Sequence, residues 1–250
     1  MSDTHRGRVR TEPGHKRIRA YAAGRLIADT THPVLVWESP YYPTYYVPVA
    51  DLHAKLEPTG ATKHSPSRGE GAVHDIVADG VTKSDAALRY PDSPIPELQE
   101  LVRLEWGAMD EWLEEDEPVY FHPRNPYTRI DILASSRHVR VEVDGVTVAE
   151  SRSPRILFET GLIPRYYLPL PDARQDLFTS SGTQTHCPYK GTAGYFNLQV
   201  NGTEHKDLVW FYRAPLPESQ KVAGLVCFYN EKVDIYLDGE LQERPKSPFA

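Results

Sequence analysis

Cys187, in the string His186-Cys187-Pro188-Tyr189-Lys190-Gly191, is the residue best placed by type to act as a nucleophile. The thiolate is the reactive form of cysteine, and a nearby cation lowers the thiol pKa. His186 stands beside it and Lys190 three residues on, so the string reads as a nucleophile with its activators; it reads equally as a small buried residue in a β-rich motif. Lys190 offers a strong donor for a carboxylate or phosphate, and Tyr189 an apolar face with a polar tip. Both are candidates for ligand contact, against a plain Lys-Gly turn in solvent. Glu159 follows an aromatic residue between apolar neighbours, where a carboxylate must reach water, pair with a cation or bear a heavy cost of burial. A Glu159–Lys190 pair would meet that need, as a structural ion pair or as a general base beside its electrostatic partner. Cys187, Lys190 and Glu159 are therefore the catalytic candidates.

Other residues suit binding. Trp210 and Tyr212 are two apart and share one face of a strand, as an aromatic wall or as sheet packing. One of Tyr166 and Tyr167 must point inward, and Tyr167 is the pocket candidate; Tyr45 and Tyr46 pose the same choice. His122, Arg124, Arg129 and Asp131 form a polar connector in which an arginine can clamp an anion, unless Arg129 and Asp131 simply pair. No metal is expected. His186 and Cys187 are adjacent and so point oppositely on a strand, and Cys227 has no second Cys or His at ligand spacing. No P-loop, Asp-x-Asp or Gly-x-Gly-x-x-Gly string occurs, and no cofactor is expected.

The elements that position these residues are written twice. Gly145 lies 121 positions after Gly24, and the register runs on without a gap. Val36-Trp37-Glu38-Ser39 matches Leu157-Phe158-Glu159-Thr160, and Pro43, Tyr45, Tyr46, Pro48 and Asp51 match Pro164, Tyr166, Tyr167, Pro169 and Asp172. After one added residue, His64-Ser65-Pro66-Ser67-Arg68-Gly69 faces His186 to Gly191, so Ser65 replaces the thiol and Arg68 the lysine. Matching Phe121 with Phe228, and Asp131 with Asp234, implies an insertion in the first copy. There Leu98, Leu101, Val102, Trp106, Met109, Trp112 and Leu113 recur at three- and four-residue spacing, which predicts an amphipathic helix over about 96–116. Elsewhere alternation predicts strands: hairpins at Asp144-Gly145 and Asn201-Gly202, and one joining Leu225–Tyr229 to Val233–Leu237. The expected division is a basic, disordered arm 1–17, a first repeat 18–134, a second repeat 135–241 and a tail 242–250.

Composition narrows the class. The 250 residues carry a net charge of −7, and residues 1–19 concentrate Arg6, Arg8, Arg10, Lys16, Arg17 and Arg19, which leaves an acidic body that repels nucleic acid. No apolar run is long enough to span a membrane. The start lacks the apolar stretch of a secretory signal, so a cytoplasmic protein is expected, with Cys187 and Cys227 reduced although a disulfide between them stays open.

Gly145 with Ala149-Glu150-Ser151, Glu159, Pro164 to Pro169, Asp172, the run Cys187 to Tyr195, Trp210-Phe211-Tyr212 and the connector His122 to Asp131 together resemble the domain-of-unknown-function family 427 in tandem form, over about Ile18 to Glu240. That resemblance implies two tandem, mainly β domains of antiparallel β-tent or Mss4-like kind; a nucleotidyltransferase-like label sometimes given to the family finds little support in these residues. The expected function is small-molecule binding, in the second repeat or between repeats, with enzymatic action on a polar or anionic compound left open. The alternatives are a non-catalytic protein-interaction module and, further off, nucleotidyl transfer.

Overall fold

The computed structural model describes residues 9–247 and divides the chain into two compact units, Met1–Asn125 and Pro126–Ala250. The first unit contains β1 (Arg10–Pro13), β2 (Ile18–Ala22), β3 (Arg25–Thr30), β4 (Val34–Trp37), β5 (Thr44–Pro48), β6 (Lys55–Ser65), β7 (Gly69–Ala78), β8 (Val81–Arg89), β9 (Leu101–Leu104), β10 (Glu111–Glu114) and β11 (Glu117–Pro118). The second contains β12 (Ile130–Ala134), β13 (Val139–Val143), β14 (Val146–Ser151), β15 (Arg155–Glu159), β16 (Arg165–Pro169), β17 (Phe178–Cys187), β18 (Gly191–Val200), β19 (Thr203–Tyr212), β20 (Leu225–Phe228), β21 (Asp234–Leu237) and β22 (Glu240–Leu241).

Each unit folds into two antiparallel sheets of the same topology. A seven-stranded sheet runs β1-β4-β5-β9-β8-β7-β6 in the first and β12-β15-β16-β20-β19-β18-β17 in the second. A four-stranded sheet runs β11-β10-β2-β3 and, equivalently, β22-β21-β13-β14. Tight turns set the registers: Ala23-Gly24, Asp79-Gly80, Asp144-Gly145 and Asn201-Gly202 all take positive φ at both positions, as two-residue hairpin turns matched to strand twist require. Val139, Val141 and Val143 are buried while Arg140 and Glu142 are not, which is the alternation of a strand with one face on a core. The main core of each unit draws on both of its sheets, with Ile18, Ala20 and Trp112 meeting Tyr45, Val47 and Val102 in the first. A second, smaller cluster covers the other face of each seven-stranded sheet.

The fold corrects four expectations. No helix spans 96–116: that stretch is a 3-10 turn at Pro96–Leu98, β9, a second 3-10 turn at Trp106–Ala108, and β10. β9 sits between β5 and β8 and its backbone is satisfied by both, so its apolar residues face two cores; the spacing that mimics a helix comes from two short strands broken by a turn. Trp106 stacks on Trp112 at 4.8 Å, and Trp112 Nε1 donates to the Trp106 carbonyl at 3.2 Å. Nor is there an insertion. The pairing of β10 with β2 repeats that of β21 with β13, so Asp234–Leu237 is equivalent to Glu111–Glu114 and not to the segment around Asp131. Leu225–Phe228 and Asp234–Leu237 do not form a hairpin: the turn at Tyr229, where Lys232 and Val233 amides both donate to its carbonyl, carries the chain from one sheet to the other. Finally, the arm is shorter than 1–17. Residues 1–8 lie outside the described residues, but Arg10–Pro13 pairs with β4 as β12 pairs with β15, and Arg17 pairs with Asp29. β12 thereby opens the second unit, ahead of residue 135. No helix among the described residues is long and apolar enough to cross a membrane.

Candidate functional site

The signature string is a hairpin end. Cys187 pairs with Gly191, and Pro188, Tyr189 and Lys190 turn between β17 and β18. Gly191 takes φ +92°, and its backbone passes close to the Ala214 carbonyl, so a side chain there is strained. This turn folds Lys190 back toward the end of β15, where its Nζ donates to Glu159 Oε2 at 2.5 Å. The two side chains are only 13% and 9% exposed. The first unit builds the same pair from Arg68 and Glu38 but closes it further. Tyr46 OH donates to Glu38 Oε1 at 2.6 Å, Arg68 Nη1 donates to Tyr46 OH at 2.9 Å, and Arg103 Nε stands 3.4 Å from Glu38 Oε2.

In the second unit Cys227 occupies the place of Arg103 and Tyr167 that of Tyr46. Tyr167 OH accepts from Trp210 Nε1 at 3.1 Å, with the rings edge to face. Arg165, on β16, serves a different carboxylate: it forks onto Glu231 at 2.6 and 2.7 Å and lies 5.2 Å over the Trp210 ring. Burial works to raise the Glu231 pKa, but the Arg165 fork and the Ser247 hydroxyl outweigh it and hold the carboxyl down at about 2. Burial pushes the Cys227 thiol up. It does the same to the Tyr212 hydroxyl, which also feels Cys187, Tyr195, Glu159 and Cys227, so these groups converge on one end of the outer cluster.

The other face of the same sheet carries a cleft of about 520 Å³. Its apolar wall is the stacked pair Phe196 and Phe211, 4.6 Å apart, and behind it Phe178 stacks on Phe196 at 5.2 Å to continue the ladder across a third strand. Gly194 makes the ladder possible, because a Cβ there would meet Phe211 Cζ at 2.9 Å. The polar wall is the bulged stretch of β17 at Ser180–Gln184. Asp207, in the left-handed region at φ 51°, accepts from the hydroxyls of Ser181 and Thr183 and fixes that bulge. Arg213 stands exposed at the rim, and the lining holds no carboxylate.

A family model described as a domain of unknown function, DUF427, matches residues 10–115 and again 131–239. The chain belongs to the DUF427 family. The two matches begin at β1 and within β12 and run through β10 and β21, so each covers the seven-stranded sheet and all but the last short strand of the four-stranded one. A search of the curated proteins finds no match.

Within the second DUF427 unit the structure brings Glu159, Lys190, Tyr167, Trp210, Tyr212 and Cys187 toward one region, with Glu159 and Lys190 in direct contact. The two candidate activators of Cys187 are otherwise engaged: Lys190 with Glu159, and His186 Nδ1 with Thr192 Oγ1 at 2.9 Å on the opposite face. Tyr189 is half-buried, and its carbonyl accepts from Ser219. Of the sequence candidates only Tyr212 also lines the cleft. The connector residues fall into different units. His122 stacks on Tyr42 at 3.9 Å in the first unit, and burial lowers its pKa; Arg124 is half-buried there. Arg129, in the second, is exposed and pairs with Asp131 at 2.9 Å. Cys187 and Cys227 are both free thiols. Among the described residues no group of three or more His, Cys, Asp or Glu is placed to hold a metal ion. Sequence reading missed the Phe178–Phe196–Phe211 ladder, Gly194 and Arg213. The signal was in the repeat: at the ladder positions the first unit has Leu56, His74 and Arg89, and the second has phenylalanine at all three.

Proposed function

We propose that the second DUF427 unit binds a small molecule in the Phe196–Phe211 cleft, and that the first unit, with Arg89 and His74 in place of those rings, is its non-binding counterpart. The observation that carries this reading is the cleft itself: its volume of about 520 Å³ lies within the range of small-molecule sites, roughly 300–1,000 Å³, and it combines an apolar wall with a few placed polar groups. A duplicated fold that kept only packing residues would have no reason to line a concavity with stacked rings in one copy alone. The sheet pair is read as a β-tent, working in the cytoplasm, where free Cys187 and Cys227 stay reduced.

The double substitution Phe196→His with Phe211→Arg writes the first unit's residues into the second. Because that unit folds with them, the melting temperature is expected to stay within a few degrees. In a thermal-shift screen of single-ring and fused-ring aromatic compounds, at least one is expected to stabilise the unsubstituted protein, since a ligand at a hundred times its Kd adds about 2.7 kcal/mol. The double variant is expected to lose at least tenfold in affinity for it. Stabilisation that survives the double substitution would place the site elsewhere.

A further inference from the structure

The chemistry of the lining narrows the ligand. Stacked Phe196 and Phe211 form a flat apolar surface, and flat rings pair best with another planar π-system, offset or edge-on. Gly194 keeps the strand beneath free of side-chain bulk, so that the Phe211 ring lies across it. On the polar side the Ser181 and Thr183 hydroxyls are committed to Asp207. Ser180 and Gln184 stand beside them with side chains open to a ligand, and Arg213 is the only charged side chain of the lining. A lone guanidinium presents a planar fork that matches a carboxylate in two parallel hydrogen bonds. One cation also balances one negative charge. A dianion would leave charge uncompensated on a chain whose own net charge is −7.

We infer that the cleft takes a planar aromatic carboxylate, its ring against the Phe196–Phe211 ladder and its carboxylate on Arg213, with Ser180 and Gln184 as further donors. This rests on the binding reading above and adds the charge and shape of the ligand. No bond is made or broken.

The test uses the full chain and three acids, each with its neutral amide: naphthalene-2-carboxylate, indole-3-acetate and 4-hydroxybenzoate, titrated by calorimetry. Phenyl phosphate serves as the dianion. At least one acid is expected to bind, its amide at least tenfold more weakly, and phenyl phosphate more weakly than the best acid. Arg213→Gln is expected to bring acid and amide to within about twofold of each other, without moving the melting temperature, because Arg213 is exposed. If an amide binds as well as its acid, or if Arg213→Gln leaves the preference intact, the carboxylate assignment is wrong while aromatic binding stands. Tighter binding of phenyl phosphate than of every acid overturns the single-charge argument. If none of the acids binds, the inference fails; if the amides also fail to bind, the aromatic cleft reading fails with it.

Discussion

Lys190→Met is expected to destabilise the second unit by about 3–5 kcal/mol, the usual result of stripping one partner from a buried ion pair. Glu159, 9% exposed, would lose the cation that donates to it. The double substitution Lys190→Met with Glu159→Met removes both charges and is expected to cost much less than the single one, because two well-packed apolar side chains leave nothing buried and unpaired. The first unit supplies a control within the same chain. Arg68→Met leaves Glu38 with Tyr46 OH at 2.6 Å and Arg103 at 3.4 Å, so its cost is expected to be clearly smaller than that of Lys190→Met. Hydrogen exchange resolved by peptide mass spectrometry measures the two units separately: faster exchange in β15–β19 for Lys190→Met and little change in β4–β8. Equal losses in the two units would mean that neither Tyr46 nor Arg103 compensates Glu38.

That comparison shows where the sequence was legible. The duplication could be read because each repeat spends the same residues on the same contacts: a Glu at the end of β4 or β15, a basic residue in the turn of the β6–β7 or β17–β18 hairpin, and a double tyrosine whose members face opposite cores. Tyr46 and Tyr167 are buried in the outer clusters, and Tyr45 packs in the main core. The Glu159–Lys190 contact followed from the cost of burying a carboxylate, a local argument that needed no coordinates. The Trp106–Trp112 segment was misread because a 3-10 turn between two four-residue strands places apolar residues three and four apart, as a helix does; only the pairing of β9 with β5 and β8 separates the cases. The cleft was hidden for another reason. Phe196 and Phe211 look like ordinary strand residues, and what makes them a wall is the absence of a side chain at Gly194 and the bulge that Asp207 holds open across β17. Both are facts about neighbouring strands, which spacing along one strand does not record.

Arg165→Met is expected to have an effect of similar size, about 3–5 kcal/mol at neutral pH, and to reverse the sign of a pH dependence. In the intact protein Glu231 is 4% exposed, forked by Arg165, and held down at about 2. A depressed carboxyl contributes stability that is fully present above its unfolded pKa, near 4.5, and is lost as pH falls toward 2. Without Arg165 the desolvation of Glu231, the largest influence on it, is opposed only by the Ser247 hydroxyl and a backbone hydrogen bond, and its pKa is expected to rise above the unfolded value. The folded state of the variant then takes up a proton more readily than the unfolded chain, so protonating Glu231 relieves the unpaired charge and the variant gains stability as the medium turns mildly acidic. The difference in urea midpoint between the intact protein and Arg165→Met is therefore expected to be greatest near pH 7 and to shrink steadily below pH 5, with the other carboxylates cancelling in the difference. Glu231→Gln provides the counterpart, since it removes the titrating group and its midpoint difference should change least from pH 7 to pH 5. A constant difference for Arg165→Met across this range would mean that the arginine acts only through its packing over Trp210, 5.2 Å away.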